Sequence, residues 1–338
     1  MSLIRRSAQT LGWQVAGFLA MALSGMVTAR VLGPADRGLL AAVYLYPQLA
    51  SSLGSLGLGV ALFHHLSRRE YSMEEFAGTC GAASGGLGVI SLFLLLLTVW
   101  LGGEPFHHGI PWSILLLAVG PLPFLFALGY FSCLLQGAMD IGWYNVVNHG
   151  SKLASLLVVL GLLALGKLEV WELVLSGAVL TSVTGLIPVW RLRRHAPRPW
   201  HVRGRLFRSL MADGIRIHLG GVAIFLAGRA NLLLANIFLA KTEVGYLYMA
   251  VTLAELVWLI SVSAEIVLYP QVAQMSEADA TVLTTRVCRQ ILVLTIVSGL
   301  ALGVLAPAAV LLYGGRAFLP AVTPLRLLQF LVGARPGP

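Results

Sequence analysis

Charge is scarce in this chain. Only 11% of its 338 residues are Asp, Glu, Lys or Arg, against about 25% in a soluble globular domain. With 58% hydrophobic residues and a mean hydropathy of +0.85, there is too little polar surface to cover an ordinary cytosolic enzyme. The same deficit excludes disorder, which needs charge and little apolar bulk. Cysteine is nearly missing. Cys80, Cys133 and Cys288 lie far apart, in or beside apolar runs, which excludes a disulfide framework. What remains is an all-α polytopic membrane protein. Its net charge of +9 then reports topology, not nucleic-acid binding.

A helix needs about 20 mostly apolar residues to cross a bilayer core of about 30 Å. Windows of that size mark about ten transmembrane helices, near 11–31, 39–62, 78–101, 112–135, 148–166, 170–190, 218–240, 244–269, 290–313 and 318–333. The start resembles a signal peptide in carrying Arg5 and Arg6 before an apolar run. That run continues from Leu11 to Leu32, beyond the 7–15 residues or so of such leaders, so it reads as the first span. Ten spans put both termini on one side. With the termini inside, the outer side holds Arg30, Arg37, Lys167, Lys241 and Arg316, while Arg229 and Arg326 fall within spans. The other sixteen of the 23 basic residues are cytoplasmic, as the positive-inside rule requires. Eight of them crowd between Arg191 and Arg216, with Asp213 as the one acid. This segment reads as a basic cytoplasmic linker (191–217) between an N-terminal six-helix bundle (1–190) and a C-terminal bundle of about four helices (218–338).

The two bundles are related by an internal repeat. Leu32-Gly33-Pro34-Ala35-Asp36-Arg37-Gly38-Leu39-Leu40 aligns, at a shift of 207, with Leu239-Ala240-Lys241-Thr242-Glu243-Val244-Gly245-Tyr246-Leu247. Acid falls on acid and glycine on glycine. Six spans per repeat preserve orientation, so the repeats are parallel, with their axis along the membrane normal and a central site between the halves. The shared glycine is expected to permit a tight outer turn, and the acid to sit favourably at the next helix's N-terminus. A second half of equal length would need about 86 more residues, roughly two helices with loops at helical rise. The second bundle therefore reads as incomplete, and the closing Gly333-Ala334-Arg335-Pro336-Gly337-Pro338 as a truncated or frameshifted tail.

Four stretches carry a family resemblance: Ala29-Arg30-Val31-Leu32-Gly33-Pro34 through Gly38; Leu135-Gln136-Gly137 with Tyr144-Asn145; Arg229 through Tyr248, with Ala254-Glu255-Leu256 and Tyr269-Pro270-Gln271-Val272-Ala273; and Tyr313-Gly314, Phe318-Leu319-Pro320-Ala321 and Pro324-Leu325-Arg326. In their order and spacing the chain resembles the Wzx-type polysaccharide flippases of the MOP superfamily, which also holds drug exporters of the MATE type. The resemblance implies two bundles around a central cavity. It implies translocation of undecaprenyl-pyrophosphate-linked oligosaccharide across the bacterial cytoplasmic membrane by alternating access, for surface polysaccharide. It implies no enzymatic step and no cofactor beyond coupling to a proton or sodium gradient. The implied partners are the lipid-linked oligosaccharide, the phospholipid membrane and a polysaccharide polymerase, with no nucleic acid. Family helix 7 often shows Arg-x-Asp; here the pattern is Arg229-Ala230-Asn231.

Within the spans, Arg229 and Glu255 are the charges to explain. A charge at the bilayer centre costs about 2.5–3.5 kcal/mol on insertion scales, so such groups face a cavity or pair with each other. Arg229 is expected to attract a pyrophosphate, because its fork of donors matches phosphate oxygens and stays charged when desolvated. Glu255 is its partner or a proton site; a purely structural pair between the two remains the alternative. Arg30, at the outer end of the first span, either snorkels to headgroups or lines the cavity mouth. Asn231, with Asn236, Gln48 and Asn145, suits sugar hydroxyls or interhelical hydrogen bonds. Lys152 and Glu265 read as anchors at the inner interface.

Some patterns carry no chemistry. Gly161 to Lys167 mimics a phosphate-binding loop but lacks Ser or Thr after the lysine. The adjacent pairs His64-His65 and His107-His108 point to different helix faces and make poor metal sites. Gly81, Ser84, Gly85 and Gly86 form a small-xxx-small stripe expected to mark close helix packing. A drug exporter, the first alternative function, would want an acid within the first bundle, where Asp36, Glu169 and Glu172 all lie near interfaces. A non-functional truncated remnant is the second.

Overall fold

The computed structural model describes residues 3–68, 70–103, 109–197, 199–272 and 275–332. The His107-His108 loop, Arg69, Arg198 and the tail from Gly333 lie outside these, as do the side chains of Arg5, Arg6 and Glu265. Every regular element among the described residues is helical. Among the described residues, seven helices are long and apolar enough to span a bilayer.

The first, α1 (Leu3–Gly54), breaks at Gly33, whose φ of 73° only glycine adopts cheaply. Its apolar part, Gln9–Gly54, has 46 residues. At about 1.5 Å per residue that is roughly twice the bilayer core, so α1 holds the first expected span and the start of the second. The second continues after a bend at Leu56 and Gly57 (φ 49° and 69°) as α2 (Leu58–Arg68). Next come α3 (Met73–Gly102), α4 (Trp112–Gly137), α5 (Ile141–Ala164) and α6 (Val170–Leu192). These match the expected spans to within a few residues, except that α5 begins seven residues early. Beyond the basic segment lie α7 (Gly204–Phe238), α8 (Lys241–Val272), α9 (Glu277–Val304), α10 (Ala306–Gly314) and α11 (Val322–Val332). The expected ninth span is thus divided at Leu305, where Pro307 enters the first turn of α10.

The chain forms two compact units. The first comprises Met1–Thr28 with Leu39–Phe238, the second Ala29–Gly38 with Leu239–Pro338. Helix α7, which the repeat places at the head of the second bundle, is grouped with the first unit.

In the first unit, Leu58, Leu62, Phe76, Phe131, Leu134 and Leu135 pack with Leu192, Ala196, Leu206 and Leu210 in one buried core. Four of these core residues belong to the basic segment, which corrects its reading as a plain linker over 191–217. Residues 204–217 are the first turns of α7, with Leu206, Leu210 and Gly214 buried at a spacing of four and Arg205, Arg208 and Arg216 exposed. An amphipathic helix of this kind escapes a hydropathy window because five of its fourteen residues are charged or polar. The remaining strap is tied down. Ser72 and Glu75 form a capping box at the start of α3, and Arg203 Nε donates to Glu75 Oε1 at 2.5 Å. The Arg203 amide donates to Thr79 Oγ1 at 3.1 Å, and the Trp200 indole donates to the Ala196 carbonyl.

The close contacts of α3 differ from the expected ones. A Cβ on Gly85 would meet nothing within 4 Å, and one on Gly81 only the edge of Phe131. The tight positions are Gly78, against the His201 backbone at 2.5 Å, and Gly88, against Pro123 Cα at 2.5 Å. Large apolar side chains cover the unit's outside; Phe93 is 62% and Leu157 69% exposed. Trp100, Trp112 and Trp171 are exposed at one end of α3, α4 and α6, and Trp190 at the other. This is the pattern of aromatic belts at two membrane interfaces.

In the second unit, the repeat becomes a contact. An added Cβ on Gly38 would strike the Lys241 carbonyl oxygen and lie 2.7 Å from the Gly245 nitrogen. One on Gly245 would strike the Pro34 carbonyl oxygen and lie 3.2 Å from the Gly38 nitrogen. Pro34 and Lys241 are themselves separated by 207, as Gly38 and Gly245 are. The contact is therefore reciprocal, as between surfaces related by a local twofold. Both glycines lie inside helices without positive φ, so close backbone approach, not the expected tight turn, is what requires them.

Candidate functional site

The sequence-predicted charges fall in different units, Arg229 in the first and Glu255 in the second. Arg229 is half-buried on α7, within its apolar half. At 100° per residue, Asn236 returns to nearly the same face seven residues on, whereas Asn231 lies about 200° away. Asn236 is 3% exposed, and its Nδ2 donates to Tyr46 Oη at 3.3 Å. Asn231 is half-buried, and its Oδ1 accepts from the Leu232 amide at 2.8 Å. The helix thus joins Arg229 with Asn236 in one polar stripe and leaves Asn231 off it. Tyr46 was not singled out from sequence. Its signal was a phenol inside an apolar span, which needs a hydrogen-bond partner when buried.

In the second unit, Arg30 donates to the carbonyl of Leu312. That carbonyl is in the last turn of α10, where unpaired carbonyls and the helix dipole favour a cation. The Arg37 guanidinium lies 5.1 Å from the centre of the Tyr248 ring, a cation–π contact. Glu255 is seven residues beyond Tyr248 on α8, on the same face, and is exposed. An exposed carboxylate so far along an apolar helix costs too much against acyl chains, so this face meets water or a polar partner.

A third polar group closes the end of the first unit that holds the α4–α5 turn. Asp140 Oδ2 accepts from Arg191 Nε at 2.7 Å and from His195 Nε2 at 2.9 Å. The Arg191 guanidinium also lies 5.2 Å from the centre of the Trp143 ring. Partial burial opposes ionisation of Asp140, but the hydrogen bonds and charges of His195 and Arg191 outweigh it and hold the carboxyl below its usual range. His65, buried on α2, pairs with Asp213 Oδ2 at 2.9 Å, while its neighbour His64 is exposed. These contacts use the basic segment to clamp the unit together. Arg193, Arg194, Arg205, Arg208 and Arg216 stay on its surface. Among the described residues no group of three His, Cys, Asp or Glu side chains could hold a metal ion.

The arrangement is that of a multi-pass membrane protein with sparse polar stripes on long apolar helices. No curated protein and no solved structure matches the chain. A family model described as polysaccharide biosynthesis protein matches residues 4–276, most of the chain and nearly all of α1 through α8. That match shows that this chain belongs to the polysaccharide biosynthesis protein family.

Proposed function

We propose that this chain is a flippase, not an enzyme, and carries undecaprenyl-pyrophosphate-linked oligosaccharide across the bacterial cytoplasmic membrane with both termini inside. The family match supports the polysaccharide, and the apolar helices support a lipid-linked form of it. The observation that carries the reading is Arg229, a permanent cation on the face of α7 that also bears Asn236, whose amide donates to Tyr46 Oη of α1. Its donor fork suits a pyrophosphate, and the Asn236 amide two turns along the same face suits sugar hydroxyls. Glu255, exposed on α8, takes up a proton that couples transport to the gradient. Arg30 and Asn231 are the weaker members of the set, since one caps α10 and the other lies off the stripe.

The test is complementation of a flippase-deficient strain. Arg229→Ala is expected to lower surface polysaccharide by roughly tenfold or more, the loss of one charged hydrogen-bonding group. Arg229→Lys is expected to fall between the alanine variant and the wild type. Normal translocation by both variants, at wild-type amounts in the membrane, would remove Arg229 from the substrate path.

A further inference from the structure

We infer that the first unit carries a lipid-binding groove between α5 and α6, which takes a phospholipid with a primary ammonium headgroup, phosphatidylethanolamine, from one leaflet. The site does not depend on the flippase reading.

The groove has a volume of about 370 Å³. Val158 and Leu162 line it from α5, and Leu175, Val179 and Val183 from α6. The three α6 residues are exposed and recur every four positions, so they form one ridge along the helix. Glu172 lines the same groove one turn before Leu175, in the first turn of α6. From Glu172 to Val183 the helix rises about 16 Å, roughly half of a bilayer core of about 30 Å. Trp171, exposed beside Glu172, marks the interface level. The apolar part therefore runs from the interface to the midplane. That is the depth of one leaflet, and it fits an acyl chain that stays there.

The end at Glu172 selects the headgroup. Glu172 is half-buried, and its Oε2 is buried without a hydrogen-bond partner. Ser176, one turn along, donates instead to the Leu173 carbonyl at 3.1 Å. The N-terminus of α6 favours a negative charge here, but among the described residues no side chain donates to this carboxylate or pairs with it. A carboxylate left so at the edge of an apolar groove is costly. A primary ammonium supplies both the opposite charge and three N–H donors. The surroundings set the same sign. Between Leu153 and Trp190 the charged residues are Lys167, Glu169 and Glu172, one cation against two carboxylates. Lys167 and Glu169 are exposed in the turn that leads into α6. Net negative charge disfavours phosphatidylglycerol and a lipid pyrophosphate, and the choline headgroup has no N–H to give. Lys167 supplies a cation for the phosphate that phosphatidylethanolamine carries next to its ammonium.

The full chain is purified in detergent and delipidated. Phosphatidylethanolamine, phosphatidylcholine and phosphatidylglycerol with the same acyl chains are then titrated in, and the bound lipid is counted by native mass spectrometry. The first phosphatidylethanolamine is expected to bind about tenfold or more tighter than the other two, as for a hydrogen bond to a charged group. Glu172→Gln is expected to bring the three lipids within a few-fold of one another. Val179→Trp, which fills the groove, is expected to weaken all three; where it does not fold, Val183→Phe takes its place. Leu157→Trp, at an exposed position of α5 that does not line the groove, is expected to leave the preference unchanged. The melting temperature of each variant without lipid shows that it is folded. A preference for phosphatidylethanolamine that survives Glu172→Gln overturns the site. So does tightest binding of phosphatidylglycerol by the wild type, or equal weakening by Leu157→Trp and Val179→Trp. None of these results bears on complementation by the Arg229 variants, so the site and the flippase reading fail separately.

Discussion

Gly38→Ala and Gly245→Ala each destabilise the second unit, although alanine is the better helix former. At a helix position free of contacts, glycine to alanine stabilises by about 0.5–1 kcal/mol. Here the added carbon meets backbone, the Lys241 carbonyl in one case and the Pro34 carbonyl in the other. Backbone cannot swing aside as a flexible side chain can, so α1 and α8 must separate. Overpacking of this kind costs about 1–3 kcal/mol for a small group and more for a branched one. Valine at either position is therefore expected to cost about 3 kcal/mol or more. The contact is reciprocal, so the double variant costs less than the sum, because the first substitution has already opened the gap that the second fills. Melting of the purified single and double variants measures both the sign and the coupling. A rise in melting temperature for either alanine variant would mean that the two backbones do not touch.

The second large effect is at Asp140. Its side chain is 12% exposed and that of Arg191 15%, so Asp140→Asn leaves a nearly buried guanidinium without its charge partner. Removing one member of a buried pair costs about 3–5 kcal/mol, and here His195 loses its acceptor in the same step. The folded carboxyl is held below the ordinary value of 3.8, which sets the sign of the pH dependence. The stabilisation is fully present above that value and is lost as pH falls through the lower, folded value. Wild type and Asp140→Asn should therefore differ by a constant amount near neutral pH and converge only in strong acid. Denaturation followed across that range decides the matter; a difference that closes by neutral pH would place the carboxylate in solvent, outside the pair.

Much of this was legible in the residues themselves. The acid and glycine shared by Asp36-Arg37-Gly38 and Glu243-Val244-Gly245 located the repeat, although the reason for the glycine was misjudged. A turn is a local demand, whereas the observed demand comes from another helix. The stripe from Gly81 to Gly86 had the right composition for packing, yet α3 uses Gly78 and Gly88, because the register of a helix contact depends on where the neighbouring backbone passes. The basic segment announced its charge but hid its helix, since Leu206 and Leu210 are too sparse to raise a hydropathy average. Arg229 was visible as an isolated charge. Tyr46 was not, because a phenol inside a span is ordinary until its partner is seen.

What the chain settles unaided is its solvent. A run of about 20 apolar residues belongs in a bilayer whatever surrounds it, because the transfer energy is a sum over neighbours in sequence. The stretches long and apolar enough to span follow from that additive, local quantity. Which backbone touches Gly38 and which carboxylate receives Arg191 depend on residues 203 and 51 positions away. Those choices rest on contact distances of a few ångströms, and only the folded chain sets them.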